Sequence, residues 1–190
     1  MFEAIYADPD LFAITRQHCR ENDVGAAVSQ ELLNEHGDLL HDRVLVLKLD
    51  ALYSSQNMHN PPPAPDYLII VKCGDDSYEG YIIELRDTSH TGAVRSKQIL
   101  PKFRTAVDDF LSNRYRHIFF NDGDIIFKSL KLYLVTDPLR LRSKGLPDAE
   151  YKSRIRGTVL DAYASLDPVV VGKRAYLIEP MLPDPAVEPC

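Results

Sequence analysis

Cysteine is scarce in this 190-residue chain, long apolar runs are missing, and so is every short glycine motif that would cradle a phosphate or a dinucleotide. Cys19, Cys73 and Cys190 are odd in number and far apart, with no Cys/His spacing of the zinc type. Neither a disulfide framework nor structural zinc is therefore expected, and a reduced, cytoplasmic setting fits best. No run of about 18 or more apolar residues occurs, so no helix spans a membrane and no membrane partner is expected. The opening residues 1–8 are acidic where a secretory signal is basic, which argues against export. A Gly-X-Ser-X-Gly elbow is missing too, and adjacency alone does not make Ser89 and His90 a nucleophile and its base. Asp122 and Asp124 open like a calcium loop, but no closing Glu follows, so residues 121–124 read as a turn.

With 45% apolar and 26% charged residues, the chain suits a single globular domain. Residues 1–180 are read as that domain, and the proline-rich residues 181–190 as an extended or disordered tail. The net charge of −6 is unevenly distributed. Residues 1–42 carry −7, whereas residues 95–116 and 140–156 each carry +4. Such polarity fits a protein that offers phosphates one face and a metal or solvent another. It equally fits basic residues on the solvated faces of amphipathic helices.

The most informative stretch is residues 65–86, where two β-branched and aromatic runs flank Gly74-Asp75-Asp76-Ser77 and predict a β-hairpin. A three-residue loop, Gly74 to Asp76, would set Cys73 against Ser77 and Asp66 against Glu84, with both carboxylates on one face. A two-residue loop would shift the register by one. Like charges side by side require a proton or a cation between them, and a divalent metal is the usual occupant. Arg86 returns to the same face two residues after Glu84.

Around the hairpin, residues 24–37 predict an amphipathic helix capped by Asp23 and ended by Gly37, with Glu31 and Glu35 on or beside its apolar stripe. Residues 43–50 predict a strand, and 53–63 a proline-rich loop. The polar loop 87–92, with His90, follows Arg86 directly and is placed to touch substrate. The longest helical pattern is 94–115, kinked or broken at Pro101. Strands are predicted at 117–120, 125–137 and 169–178, and a helix at 149–166. The fold class is thus α/β, a central mixed β-sheet flanked by helices.

The order helix, strand, strand, strand, helix, strand, with Pro65-Asp66 opening the second strand and Glu84-Leu85-Arg86 on the third, resembles the PD-(D/E)XK nuclease superfamily, the fold of many type II restriction endonucleases. The resemblance covers about residues 24–137 and implies a restriction-endonuclease-like core. It implies that Asp66, Glu84 and the Leu85 carbonyl hold Mg²⁺, with Mn²⁺ as a substitute. It implies further that an acid from the first helix joins the site, Glu31 before Glu35, and that Lys97 points toward the active centre. The departure is Arg86, which stands where the pattern has Lys. A guanidinium keeps its proton and hardly serves as a base, which leaves three outcomes: activity with Arg86 as electrostatic stabiliser, activity with Lys97 in the missing role, or a fold that binds without cutting.

The resemblance implies a Mg²⁺-dependent endonuclease for double-stranded DNA, acting as a homodimer, with His90, Arg95, Lys97, Lys102 and Arg104 toward the nucleic acid. Arg86 motivates the alternative, a nuclease-like fold that binds DNA or assembles without cutting. A third reading, an acidic protein-interaction domain, rests on net charge alone.

Overall fold

The computed structural model describes all residues except 22–23, 57, 88–94, 138–139, 141–144, 146, 159 and 162–167. Two short helices, α1 (Phe2–Ala7) and α2 (Pro9–Ala13), open the chain, and Asp8 caps α2 by accepting from the Asp10 and Leu11 amides. Strands β1 (Thr15–Arg16), β2 (Cys19–Glu21) and β3 (Val24–Val28) follow, then a 3-10 turn at Gln30–Leu32. Next come β4 (Val44–Lys48), α3 (Leu49–Leu52), β5 (Tyr67–Lys72) and β6 (Tyr78–Arg86). Helix α4 (Ser96–Arg104) runs on into a π-helical segment, Thr105–Arg114, and then α5 (Arg116–Phe119). The remaining elements are β7 (Phe120–Asn121), β8 (Asp124–Ile125), β9 (Phe127–Thr136), α6 (Asp148–Arg154), β10 (Val169–Val171), β11 (Arg174–Tyr176), β12 (Ile178–Met181) and β13 (Ala186–Val187).

Six strands in the order β1-β4-β5-β6-β9-β12 make one mixed sheet. Strands β4, β5 and β6 form an antiparallel meander, while β9 lies parallel to β6 and β12 parallel to β9. The connection from β6 to β9 runs through α4, as a parallel pair requires. Alternation along the strands sorts the core into two faces. Leu45, Leu47, Leu68, Ile70, Ile82, Leu132 and Leu134 pack under Ile99, Phe103, Val107 and Phe110 of the helical layer. Val46, Tyr67, Ile69, Tyr81, Ile83 and Val135 face a small sheet, ordered β13-β3-β2. The α/β class with a mixed central sheet is therefore as the pattern predicts.

Several local expectations fail for physical reasons. Residues 24–28 are strand β3, paired with β2 and β13, and not the start of a helix. Glu31 and Glu35 consequently lie exposed on the turn and loop beyond it. A Cβ at Gly25 would sit 2.7 Å from the Cys19 carbonyl, so this position admits the close approach of β2 only because it is glycine. Residues 116–119 are helical, and 169–178 is not one strand but a hairpin turning at Gly172 (φ +59°) followed by β12. Pro101 stays inside α4, and the change to π geometry begins at Thr105. Residues 181–190 are not a free tail: Leu182 and Val187 are buried and β13 pairs with β3. Cys73 and Cys190 form a disulfide, contrary to the expectation from spacing. Their separation of 117 residues hid a contact that only the folded hairpin and the closing segment create.

Candidate active site

The β5–β6 register pairs Tyr67 with Ile83 and Lys72 with Tyr78. The Cys73 amide donates to the Ser77 carbonyl at 2.7 Å, so the loop is the three-residue one and the register carries Asp66 beside Glu84. Both side chains are buried, Asp66 with 6% of its surface exposed and Glu84 with none. Asp66 Oδ2 accepts from the Leu85 amide at 2.6 Å, which fixes the carboxylate across the hairpin. Arg86 Nε lies 2.8 Å from Glu84 Oε1.

The cation between the two acids is Lys102, on the inner side of α4 between Ile99 and Phe103. Its Nζ stands 2.8 Å from Glu84 Oε1, 2.9 Å from Oε2 and 4.0 Å from Asp66 Oδ1. Glu84 Oε1 is nevertheless left without a well-directed hydrogen bond, as is Arg86 Nε. Two cations crowd one buried oxygen without aiming a proton squarely at it.

A second group of charges adjoins Asp66 where β4 ends. Lys48 Nζ reaches Glu21 Oε1 at 2.6 Å and Asp50 Oδ2 at 3.7 Å. Carboxylate oxygens of Glu21, Asp50 and Asp66 all lie within 4.8 Å of one another. The Leu49 amide donates to the Asp66 carbonyl at 2.9 Å, tying α3 to the start of β5. Four acids (Glu21, Asp50, Asp66, Glu84) thus meet three bases (Lys48, Arg86, Lys102), so one negative charge is in excess when all are ionised.

Burial is the first cause of the raised carboxyls of Glu84, Asp66 and Asp50. It pushes the Glu84 carboxyl up to about 7, reinforced by the charge of Asp66 and opposed by Lys102 and Arg86. Asp66 is raised as well, through burial first, against the Leu85 amide and Lys102. Asp50 is raised by burial, with Lys48 pulling the other way.

Of the residues named from sequence, Asp66, Glu84 and Arg86 come together as expected. Glu31 is exposed and takes no part; Glu21, on β2, is the acid that approaches instead. Lys97 is exposed on α4, and the position beside the carboxylates belongs to Lys102, which the sequence assigned to DNA. Arg95 and Arg104 are exposed. His90 lies outside the described residues. Lys48 and Asp50 were legible as the end of a strand, but nothing local showed that β4 would set Leu49 against Asp66. For Glu21 no sequence signal existed.

The carboxylate oxygens close enough to share a hard divalent cation are those of Glu21, Asp50 and Asp66. Glu84, buried with one oxygen unsatisfied, adjoins them across Lys102. The excess negative charge of the fully ionised cluster lies on the Glu21/Asp50/Lys48 side, since Arg86 and Lys102 balance Asp66 and Glu84. No family model matches the chain, and no curated protein or solved structure matches it either.

Proposed function

We propose that this chain is a Mg²⁺-dependent DNA endonuclease of the restriction type, with Mn²⁺ able to replace Mg²⁺. The observation that carries the reading is that Asp66 and Glu84, buried on adjacent antiparallel strands, share the Lys102 ammonium, with Arg86 beside Glu84. In support, the meander β4–β5–β6 followed by α4 and the parallel strand β9 keeps the strand, strand, strand, helix, strand part of the order on which the PD-(D/E)XK resemblance rests; against it, the helix that opens that order is replaced by strand β3. Asp66 and Glu84 would hold the ion. When bound, Mg²⁺ supplies positive charge that polarises the phosphodiester and eases deprotonation of the attacking water. Asp66 is aimed by the Leu85 amide, and Glu84 is aimed by Arg86 and Lys102. Lys102, rather than Lys97, stands beside the two carboxylates, and its compact ammonium is the candidate for the missing motif lysine, facing charge that develops on a bound phosphate. Arg86, with 35% of its side chain exposed, reaches from Glu84 toward solvent and is placed to face the negative charge of the transition state. Two copies in a symmetric pair would present one such centre to each DNA strand.

The second reading, a fold that binds DNA or assembles without cutting, is favoured by one observation. Lys102 and Arg86 already neutralise Glu84, so the cluster is a coherent ion-pair network as it stands. Plasmid cleavage with Mg²⁺ or Mn²⁺ separates the two. Asp66→Ala and Glu84→Ala are each expected to abolish nicking, and Lys102→Met to reduce it by about 100-fold or more. Cleavage that survives both alanine variants, or salt-sensitive DNA binding with no heat of Mg²⁺ binding, removes the catalytic reading.

A further inference from the structure

The small sheet over the second face is closed by a segment that pairs with it over a short edge strand. Residues 182–190 contribute the buried apolar residues Leu182, Pro183, Pro185 and Val187, and the ion pair of Asp184 with Arg20 at 2.5 Å. Beyond the β13–β3 ladder, the Asp184 amide donates to the Gly25 carbonyl (2.8 Å), and the Ala27 and Ser29 amides donate to the Pro185 and Val187 carbonyls (3.1 and 3.0 Å). Strand β13 pairs over only two residues, well short of an independently stable ladder. The covalent tie, Cys73 to Cys190, therefore joins the hairpin tip to the end of the segment that carries the two-residue edge strand β13.

The geometry points to a redox-latched strap: the closed Cys73–Cys190 disulfide holds residues 182–190 against β3, and reduction by a thiol or dithiol releases them. Release has a defined route inward. Strand β13 pairs with β3, β3 pairs with β2, and β2 ends at Glu21, whose carboxylate reaches Lys48 and the Asp50/Asp66 group. Loosening the strap thus loosens the strand that brings a fourth acid to the cluster. The inference does not rest on the nuclease reading.

The chemistry balances with the reductant named. A reductant thiolate attacks the exposed Cys190 Sγ, the S–S bond breaks, and Cys73 leaves with the electron pair and takes a proton. A second reductant thiolate then resolves the mixed disulfide, leaving two protein thiols and one oxidised reductant.

The test is hydrogen exchange read by mass spectrometry on the full chain, oxidised with glutathione disulfide and then treated, or not, with dithiothreitol. Peptides covering 24–29 and 182–187 are expected to exchange at least about 10-fold faster after reduction, while β5 and β6 peptides keep their protection. Cys190→Ser without reductant should reproduce that pattern and respond no further to dithiothreitol; Cys73→Ser serves the same purpose if Cys190→Ser does not fold. Three results overturn the proposal: failure of the oxidised chain to form the Cys73–Cys190 bond, unchanged protection of 24–29 and 182–187 once both thiols are titrated as free, or acceleration spread evenly over every element.

Discussion

Glu84 carries its whole side chain inside the protein, and its titration should be visible in stability. Its carboxyl is raised from an ordinary 4.5 to about 7, chiefly by burial. Below the ordinary value the group is protonated in both folded and unfolded chains. As pH rises from 4.5 toward 7, the unfolded chain gives up this proton first, so folding loses stability across that window, on the order of 3 kcal/mol in total. Urea melts in chelator between pH 4 and 8 should show the decline, and Glu84→Gln should remove Glu84's share of it; parallel profiles for the two proteins would contradict the assignment. The residues that set this behaviour were only partly readable. Asp66, Glu84 and Arg86 announce themselves because a strand returns to one face every second residue. Lys102 does not, because a lysine next to Phe103 on a helix looks like one more solvated cation. Only packing of α4 over the hairpin turns it inward.

At the level of elements, β6 is held close to its parallel neighbour at Gly80. A Cβ there would come within 2.9 Å of Leu130 Cδ1 and 3.2 Å of two Phe127 ring carbons, on the same face as Glu84. Gly80→Ala must push Leu130 or the Phe127 ring aside and is expected to destabilise the fold by about 1–3 kcal/mol. The urea midpoint measures it, and an unshifted midpoint would mean that the neighbours yield freely. Strands β4, β5, β6 and β9 and helix α4 were legible because alternation and helical spacing agree with burial there. The segment 24–32 was ambiguous, since Val24, Val28 and Leu32 fit a helical stripe while Val24, Ala26 and Val28 fit a strand. Pairing decided it: β2 lies nearby in sequence, but β13 is more than 150 residues away, and no local pattern contains that partner. Losing the helix moved Glu31 to the surface and made room for Glu21.

Across the whole molecule, the uneven charge seen in the sequence acquires a direction. Acidic residues from three separate stretches, 21, 50 and 66, gather at one end of the sheet, whereas the outward side of α4 shows Lys97 and Arg104 to solvent. These two stand seven residues apart, about two helical turns, and so share one face of α4. If that face follows a DNA backbone, each cation neutralises about one phosphate and releases its counterion. The double variant Lys97→Ala/Arg104→Ala should then flatten the slope of log K against log salt by about 2, with little change in sequence preference. Both residues are exposed, so stability should stay as in the parent chain, and so should Mg²⁺ binding if the proposed site holds the ion. Fluorescence anisotropy with a short duplex, between low and moderate salt and in chelator to prevent cleavage, measures the slope directly. An unaltered slope would take α4 out of the nucleic-acid interface while leaving the buried Asp66/Glu84 pair untouched, because Lys102 turns inward from that same helix and the two sides of α4 are tested separately.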